Sequence, residues 1–292
     1  MNITIQNDKL LLVVDSLGAQ MKQLRGADGT EYLWRGDSKY WKGSAPVLFP
    51  YVGRMWNSTY TLYGVQHSMN IHGFAAASEF QVEEQGQDYM LLKLSDNEQT
   101  MAQYPFRFEF RVSFKLCGNT LETKYSVVNT DDKQMHFGLG GHPGFNVPFG
   151  GEEAFEDFYL RFGGKCLPDR VGFSPECFVN GENRQYPLED GQIIRLSHDM
   201  FDDDAIVLKN MWPSVSLCSG KTDRCITVSY PQMPYLGLWH MPKTDAPYIC
   251  IEPWTSLPSR HGVVEELASR SDMIHLAPDE SYDNVWCIGI NE

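Results

Sequence analysis

The chain has no run of about 18 apolar residues, the length a membrane-spanning helix needs, and no cluster of lysine and arginine. Its 38 acidic residues outnumber 24 basic ones, for a formal net charge of −14. An acidic chain without a basic patch is poorly suited to nucleic-acid phosphates or anionic lipid. Neither nucleic acid nor membrane is therefore an expected partner, and the acidity serves solubility. The seven cysteines, at positions 117, 166, 177, 218, 225, 250 and 287, are odd in number and lack CxxC spacing. Reduced, partly buried thiols are expected. The start, Met1-Asn2-Ile3-Thr4-Ile5-Gln6, lacks the basic and apolar regions of a signal peptide, so a cytoplasmic location is expected. Glycine-rich phosphate loops, dinucleotide fingerprints and the GxSxG serine elbow are missing too. No cofactor is expected.

Helical patterns are scarce, and period-two alternation is abundant. Phe106, Phe108, Phe110, Val112, Phe114 and Leu116 alternate with polar or charged residues, the mark of a strand with one buried face. After Gly118-Asn119, Leu121, Thr123, Tyr125 and Val127 alternate again, which predicts a hairpin. Further strands are expected at Ile3–Gln6, Leu10–Asp15, Phe80–Glu83, Tyr89–Ser95, Phe158–Phe162, Ile206–Lys209, Val215–Ser219, Cys225–Tyr230, Leu236–His240 and Tyr248–Glu252. One or two helical turns are expected from Val263 to Ser269. With no linker and no fixed repeat, the chain is predicted to be all-β: a large antiparallel two-layer β-sandwich in a single domain over residues 1–292.

Three segments combine a proton-handling residue with glycine, proline and aromatic neighbours: Ile71-His72-Gly73-Phe74, Gly141-His142-Pro143-Gly144-Phe145-Asn146, and Ile251-Glu252-Pro253-Trp254. Glycine permits close approach of a ligand to the backbone, proline fixes the chain, and aromatic rings suit the C–H faces of a sugar. Alternation places Tyr248, Cys250 and Glu252 on one face of a strand and Ile249 and Ile251 on the other. A carboxylate in so apolar a strand needs a salt-bridge partner or a function, because an unpaired buried charge is costly. His142 and His72 fit either an imidazole aimed into a cleft or a histidine bonded within its own loop. Arg54 fits a substrate fork or a clamp on carbonyls. Asp202-Asp203-Asp204 fits a solvated turn and lacks the calcium-loop pattern. His67, His136, His198, His240, His261 and His275 show no metal spacing. His72, His142 and Glu252 are too dispersed for sequence alone to join them as a metal site, and none is expected. Trp239, Trp254 and Phe145 are candidates for either core or sugar platform.

These motifs, in this order, resemble the aldose 1-epimerase (galactose mutarotase-like) family, most of all its LacX-like branch, over nearly the whole length. Arg54 with Thr61-Leu62 and Gly64 is similar to the family's early arginine segment. Ile71-His72-Gly73 is similar to its His-Gly motif, and His142-Pro143-Gly144-Phe145-Asn146 to its His-x-aromatic-Phe-Asn motif. Asp204 before Ala205-Ile206-Val207-Leu208 resembles its aspartate segment, and Ile251-Glu252 its late Leu-Glu segment. The resemblance implies a β-supersandwich that interconverts the α and β anomers of free aldoses. It implies Glu252 as general base, His142 as general acid, and Arg54, His72 and Asp204 as substrate-binding residues. Two departures bear on the sugar pocket. The family's mutarotases carry a bulky aromatic where this chain has Gly144, and Glu252 is followed by Pro253-Trp254.

The residue types match the chemistry. Opening a hemiacetal ring needs a base for the anomeric hydroxyl and an acid for the ring oxygen. In the expected starting state Glu252 is ionised and His142 protonated. The expected partner is a small-molecule sugar, and the protein is expected to be a monomer or homodimer. Two alternatives compete. A hexose-6-phosphate 1-epimerase would need extra cations in the pocket, and Arg260 and Lys243 lie near the key segments. A non-catalytic carbohydrate-binding or sensing protein could use the same fold.

Overall fold

The computed structural model describes residues 1–150 and 152–291. Its framework is two large antiparallel sheets packed face to face. The first has nine strands, in the order Ile193–Arg195, Phe158–Phe162, Ser214–Ser219, Cys225–Ser229, Ser281–Asn291, Thr120–Asn129, Phe108–Cys117, Tyr89–Ser95 and Gln81–Gln85. The second has eight. Tyr235–Trp239, Tyr248–Trp254 and Gly140–Gly141 lie consecutively in it, and Gly144–Asn146 also pairs with Tyr248–Trp254. A three-stranded sheet of Asn2–Gln6, Leu10–Asp15 and Gln20–Gly26 adjoins them.

Period-two alternation explains this arrangement. Phe108, Phe110, Val112, Phe114 and Leu116 all point inward. They meet Leu121, Thr123, Tyr125 and Val127 of the next strand across the Gly118-Asn119 turn, with Leu116 opposite Leu121 and Val112 opposite Tyr125. Burying those five apolar side chains contributes on the order of 10 kcal/mol before conformational entropy is charged against it. From the other layer Phe49 stacks on Phe110, with ring centroids 4.4 Å apart. Ile249 and Ile251 join the same contiguous core.

The all-β, two-layer architecture is as expected from the sequence, and the predicted strands agree with those observed to within two residues at either end. There are differences. Of the one or two helical turns expected over Val263–Ser269, one is present, a 3-10 turn at Leu267–Ser269, and ahead of it Glu265–Glu266 forms a short strand that pairs in parallel with Thr59–Leu62. The one α-helix among the described residues is at Glu98–Gln103, where the Asn97 side chain accepts from the backbone N–H groups of Gln99 and Thr100. The cysteines are not all free thiols. Cys218 and Cys225 stand opposite each other on paired strands and form a disulfide. Among the described residues, no helix is long and apolar enough to cross a membrane.

Candidate active site

Strand Tyr248–Trp254 carries the central element of the site. Every residue in it is buried. Ile249 and Ile251 face the shared core, while the opposite face divides into two small apolar clusters. Tyr248 and Cys250 pack with Trp34 and Ala246 in one, and Trp254 packs with Leu48, Val52 and Val207 in the other. Glu252 lies between the two, a carboxylate only 2 % exposed in an apolar wall. Gly237 is directly across from it on the neighbouring strand, where an added Cβ would come within 2.9 Å of the Trp254 indole and 3.3 Å of Glu252 Cβ.

His142 is held by backbone on both sides. Its N–H donates to Pro46 O at 3.2 Å, and Pro143 O accepts from Ile251 N–H at 3.1 Å. This places His142 Nε2 3.3 Å from Glu252 Oε2. Glu252 Oε2 and His142 Nδ1 are both buried without a hydrogen-bond partner among the described residues. Burial drives the Glu252 carboxyl well above its usual range, with the nearby Asp204 charge adding and the Trp254 indole opposing. Burial, reinforced by His72, pushes His142 down to about 3. Burial thus favours the uncharged pair, with one proton on Glu252 and a neutral imidazole, rather than the expected ion pair. The two states differ only in which side of a 3.3 Å gap holds that proton.

His72 sits at φ +63°, and its ring centroid is 5.6 Å from that of His142. Its Nδ1 accepts from Gly53 N–H at 3.1 Å. The ring proton is therefore on Nε2, which makes that nitrogen a donor. Burial and the Arg54 charge lower its pKa to about 4, so the ring is neutral. The turn depends on Gly73, at φ +76°, where an added Cβ would lie 2.2 Å from Phe49 O. Asp204, at φ +75°, accepts from Ala205 N–H and from Cys177 Sγ, both at 2.9 Å. Burial and this carboxylate push the Cys177 thiol up to about 12.

Arg54, His72, His142, Asp204 and Glu252 all line one cavity of about 480 Å³, within the usual range for small-molecule sites. Asp202 and Asp203 line a neighbouring cavity instead. Trp239 and Trp254 also border the cavity, whereas Phe145 points into the core. Arg260 is ion-paired to Glu265 at 2.9 Å, away from the cavity, and Lys243 lines the neighbouring one. Arg54 is thus the one Lys or Arg at this cavity among the described residues.

Cys177 and Trp41 are among the lining residues that the sequence did not single out. Cys177 follows a turn with no motif. Trp41 stacks on His142, with ring centroids 4.9 Å apart at 27°, and closes one wall. It also accounts for the glycine at position 144, where even a Cβ would come within 3.1 Å of the Trp41 ring. The indole from a distant loop occupies space that an aromatic at 144 would need. Cys250 Sγ forms a cluster with His142 and Glu252 whose ligand atoms lie within 4.8 Å of one another. Burial, with Glu252 nearby, keeps that thiol protonated, whereas a metal ligand would have to be thiolate.

The model of the aldose 1-epimerase family matches residues 1–286. The chain is 32% identical over 267 residues to the plasmid-borne protein LacX of Lactococcus lactis subsp. lactis, a match covering 88% of each. Among solved structures it is similar to a galactose mutarotase related enzyme from Lactobacillus acidophilus, with 34% identity, a TM-score of 0.95 and coverage of 100% of this chain and 98% of that one. It is also similar to a galactose mutarotase-like protein from Lactobacillus casei, with 29% identity, a TM-score of 0.93 and complete coverage of both.

Proposed function

From the premise that this chain belongs to the aldose 1-epimerase family, we propose that it interconverts the α and β anomers of a free, unphosphorylated aldose. The observation that carries this reading is the contact between His142 Nε2 and Glu252 Oε2 at 3.3 Å, inside a cavity of about 480 Å³. The two oxygens that must exchange protons during ring opening are bonded to the same sugar carbon. An acid and a base in contact with each other can therefore reach both.

The anomeric hydroxyl donates to the Glu252 carboxyl, whose Oε2 makes no hydrogen bond among the described residues; this favours the carboxylate and shifts the proton it shares with His142 onto the imidazole. Glu252 then takes the anomeric proton as His142 protonates the ring oxygen and the ring C–O bond breaks. Rotation about the C1–C2 bond presents the other face of the aldehyde. Closure follows with the roles reversed: Glu252 returns the proton to the carbonyl oxygen and His142 recovers one from the attacking hydroxyl. His72 Nε2–H and Arg54 donate to sugar hydroxyls, and Asp204 accepts from one. Trp41, Trp239 and Trp254 supply apolar faces.

A single lining guanidinium, Arg54, supports a neutral sugar over a phosphate ester, which draws several cations. Polarimetry on freshly dissolved α-anomers of glucose, galactose and other aldoses tests the proposal. Faster approach to equilibrium is expected with at least one free aldose. Acceleration of a hexose 6-phosphate alone would transfer the assignment to the phosphorylated substrate, and acceleration of none would favour a binding protein.

A further inference from the structure

The cavity holds a thiol that the proposed acid–base chemistry does not use. Half-buried Cys177 borders it, and its Sγ lies 2.9 Å from Asp204 Oδ2. A carboxylate only accepts, so the thiol is the donor. We propose that Cys177 is a positioning residue, whose S–H fixes the Asp204 carboxylate, in register with Arg54, to receive a hydroxyl of the sugar. The proposal rests on the reading of Asp204 as a substrate-binding residue of an aldose 1-epimerase.

The first observation is how little else holds Asp204. Among the described residues its side chain bonds only to Ala205 N–H and to the Cys177 thiol, and it makes no ion pair. The Ala205 contact is to the very next residue, so it fixes the carboxylate to nothing beyond its own turn. The thiol is the tie to a separate segment. Two of the carboxylate's roughly four acceptor positions are used, which leaves room for a ligand hydroxyl. Both partners sit in left-handed backbone, Cys177 at φ +65° and Asp204 at φ +75°. Outside glycine such conformations are costly and persist only where the surroundings hold them.

The second is the frame behind the thiol. Cys177 N–H donates to Ser174 O at 2.9 Å, and Ser174 N–H to Phe178 O at 2.8 Å. Val179 N–H donates to Ser259 O at 3.0 Å, and Ser259 N–H to Arg54 O at 2.9 Å. Asp204 and Arg54, far apart in sequence, are thereby joined through one braced loop, and the thiol is its last link. Burial and the Asp204 carboxylate push that thiol up to about 12. It therefore stays a donor across the neutral range and is no nucleophile.

Sugar affinity by calorimetry and mutarotation by polarimetry would be measured with a panel of free aldoses that includes glucose and galactose. Cys177→Ala should weaken binding and raise KM about three- to tenfold, the range of a typical hydrogen bond, with kcat falling less. Cys177→Ser keeps a donor in place and should recover most of the affinity. Cys177→Gly suits φ +65° and also removes the thiol. It should repeat the Ala result, which guards against misfolding of that variant. In an Asp204→Ala background the Cys177→Ala change should cost little more. The role is overturned if the Ala and Gly variants both bind like the unaltered protein. It is also overturned if Ser is as weak as Ala, or if the Ala effect is undiminished without the Asp204 side chain, as a thiol that merely filled space would give. Affinities that follow the expected pattern, with no aldose mutarotating faster, would keep the positioning role and remove the catalytic proposal. No affinity for any aldose would remove both.

Discussion

Glu252 and His142 act as a pair in the proposed mechanism, and their substitution should show it. Glu252→Gln keeps size and hydrogen-bonding capacity but removes the basic carboxylate. A loss in kcat of at least about 10²-fold is expected, the lower end for acid–base groups, with sugar binding weakened much less. His142→Asn should lose a similar factor, and the double variant far less than the product of the two. Near-normal polarimetric rates from a folded Gln variant would remove Glu252 as the base. A second residue-scale consequence concerns acid. Burial pushes His72 and His142 down to about 4 and about 3 in the folded protein, from an ordinary 6.5. As the pH falls below 6.5 the unfolded chain takes up protons that the folded one refuses. Stability present above that pH is therefore lost towards pH 4, by about 1 kcal/mol per histidine per pH unit. Glu252, shifted upward, has the opposite sign: its contribution is full below its ordinary 4.5 and is lost as the pH rises through its folded value. His72→Asn should flatten the acid limb of the urea midpoint between pH 6.5 and 4, and an unchanged slope would refute the burial argument.

Elements differed in how much of them could be read from sequence. Strands with one buried face, such as Phe108–Cys117, announce themselves by alternation. The longest strand, Ser281–Asn291, does not. Asn284 occupies an inward position among Trp286, Ile288 and Ile290, while Val285 and Cys287 place apolar residues on the other face. Two-residue strands such as Gly140–Gly141 are too short to show a period. In the candidate site, Glu252, His142 and His72 were legible because buried polar chemistry surrounded by glycine and proline is unusual locally. Assigning roles to Arg54 and Asp204 needed the family resemblance. Trp41 was illegible because nothing near position 41 ties it to position 142. Its stack on His142 gives an element-scale prediction for the loop that carries it. Trp41→Ala should raise KM roughly three- to tenfold, corresponding to an aromatic contact of about 0.5–1.5 kcal/mol, with kcat falling less. A collapse of kcat comparable to that of Glu252→Gln, with KM unchanged, would mean that Trp41 serves the chemistry rather than the pocket wall.

At the scale of the whole molecule, the two-layer architecture was legible because alternation recurs along most of the chain. The convergence of residues 54, 72, 142, 204 and 252 on one cavity was not, since it depends on the strand order of the second sheet. The candidate site is built from proton-handling and apolar groups, and the thiol nearest the proposed catalytic pair is held protonated. Mutarotation should therefore proceed undiminished in excess chelator and without added nucleotide. Loss of activity in chelator, restored by one divalent ion, would overturn this.

Three of the seven tryptophans, Trp41, Trp239 and Trp254, border the cavity. Indole emission depends on the polarity and mobility of its surroundings, and a bound sugar would change both for all three rings at once. The protein thus carries its own optical reporter of occupancy. Titrating the slow Glu252→Gln variant with candidate sugars should shift its intrinsic fluorescence saturably, giving affinities without a label or a coupled assay. A spectrum indifferent to every sugar would show that none enters the cavity.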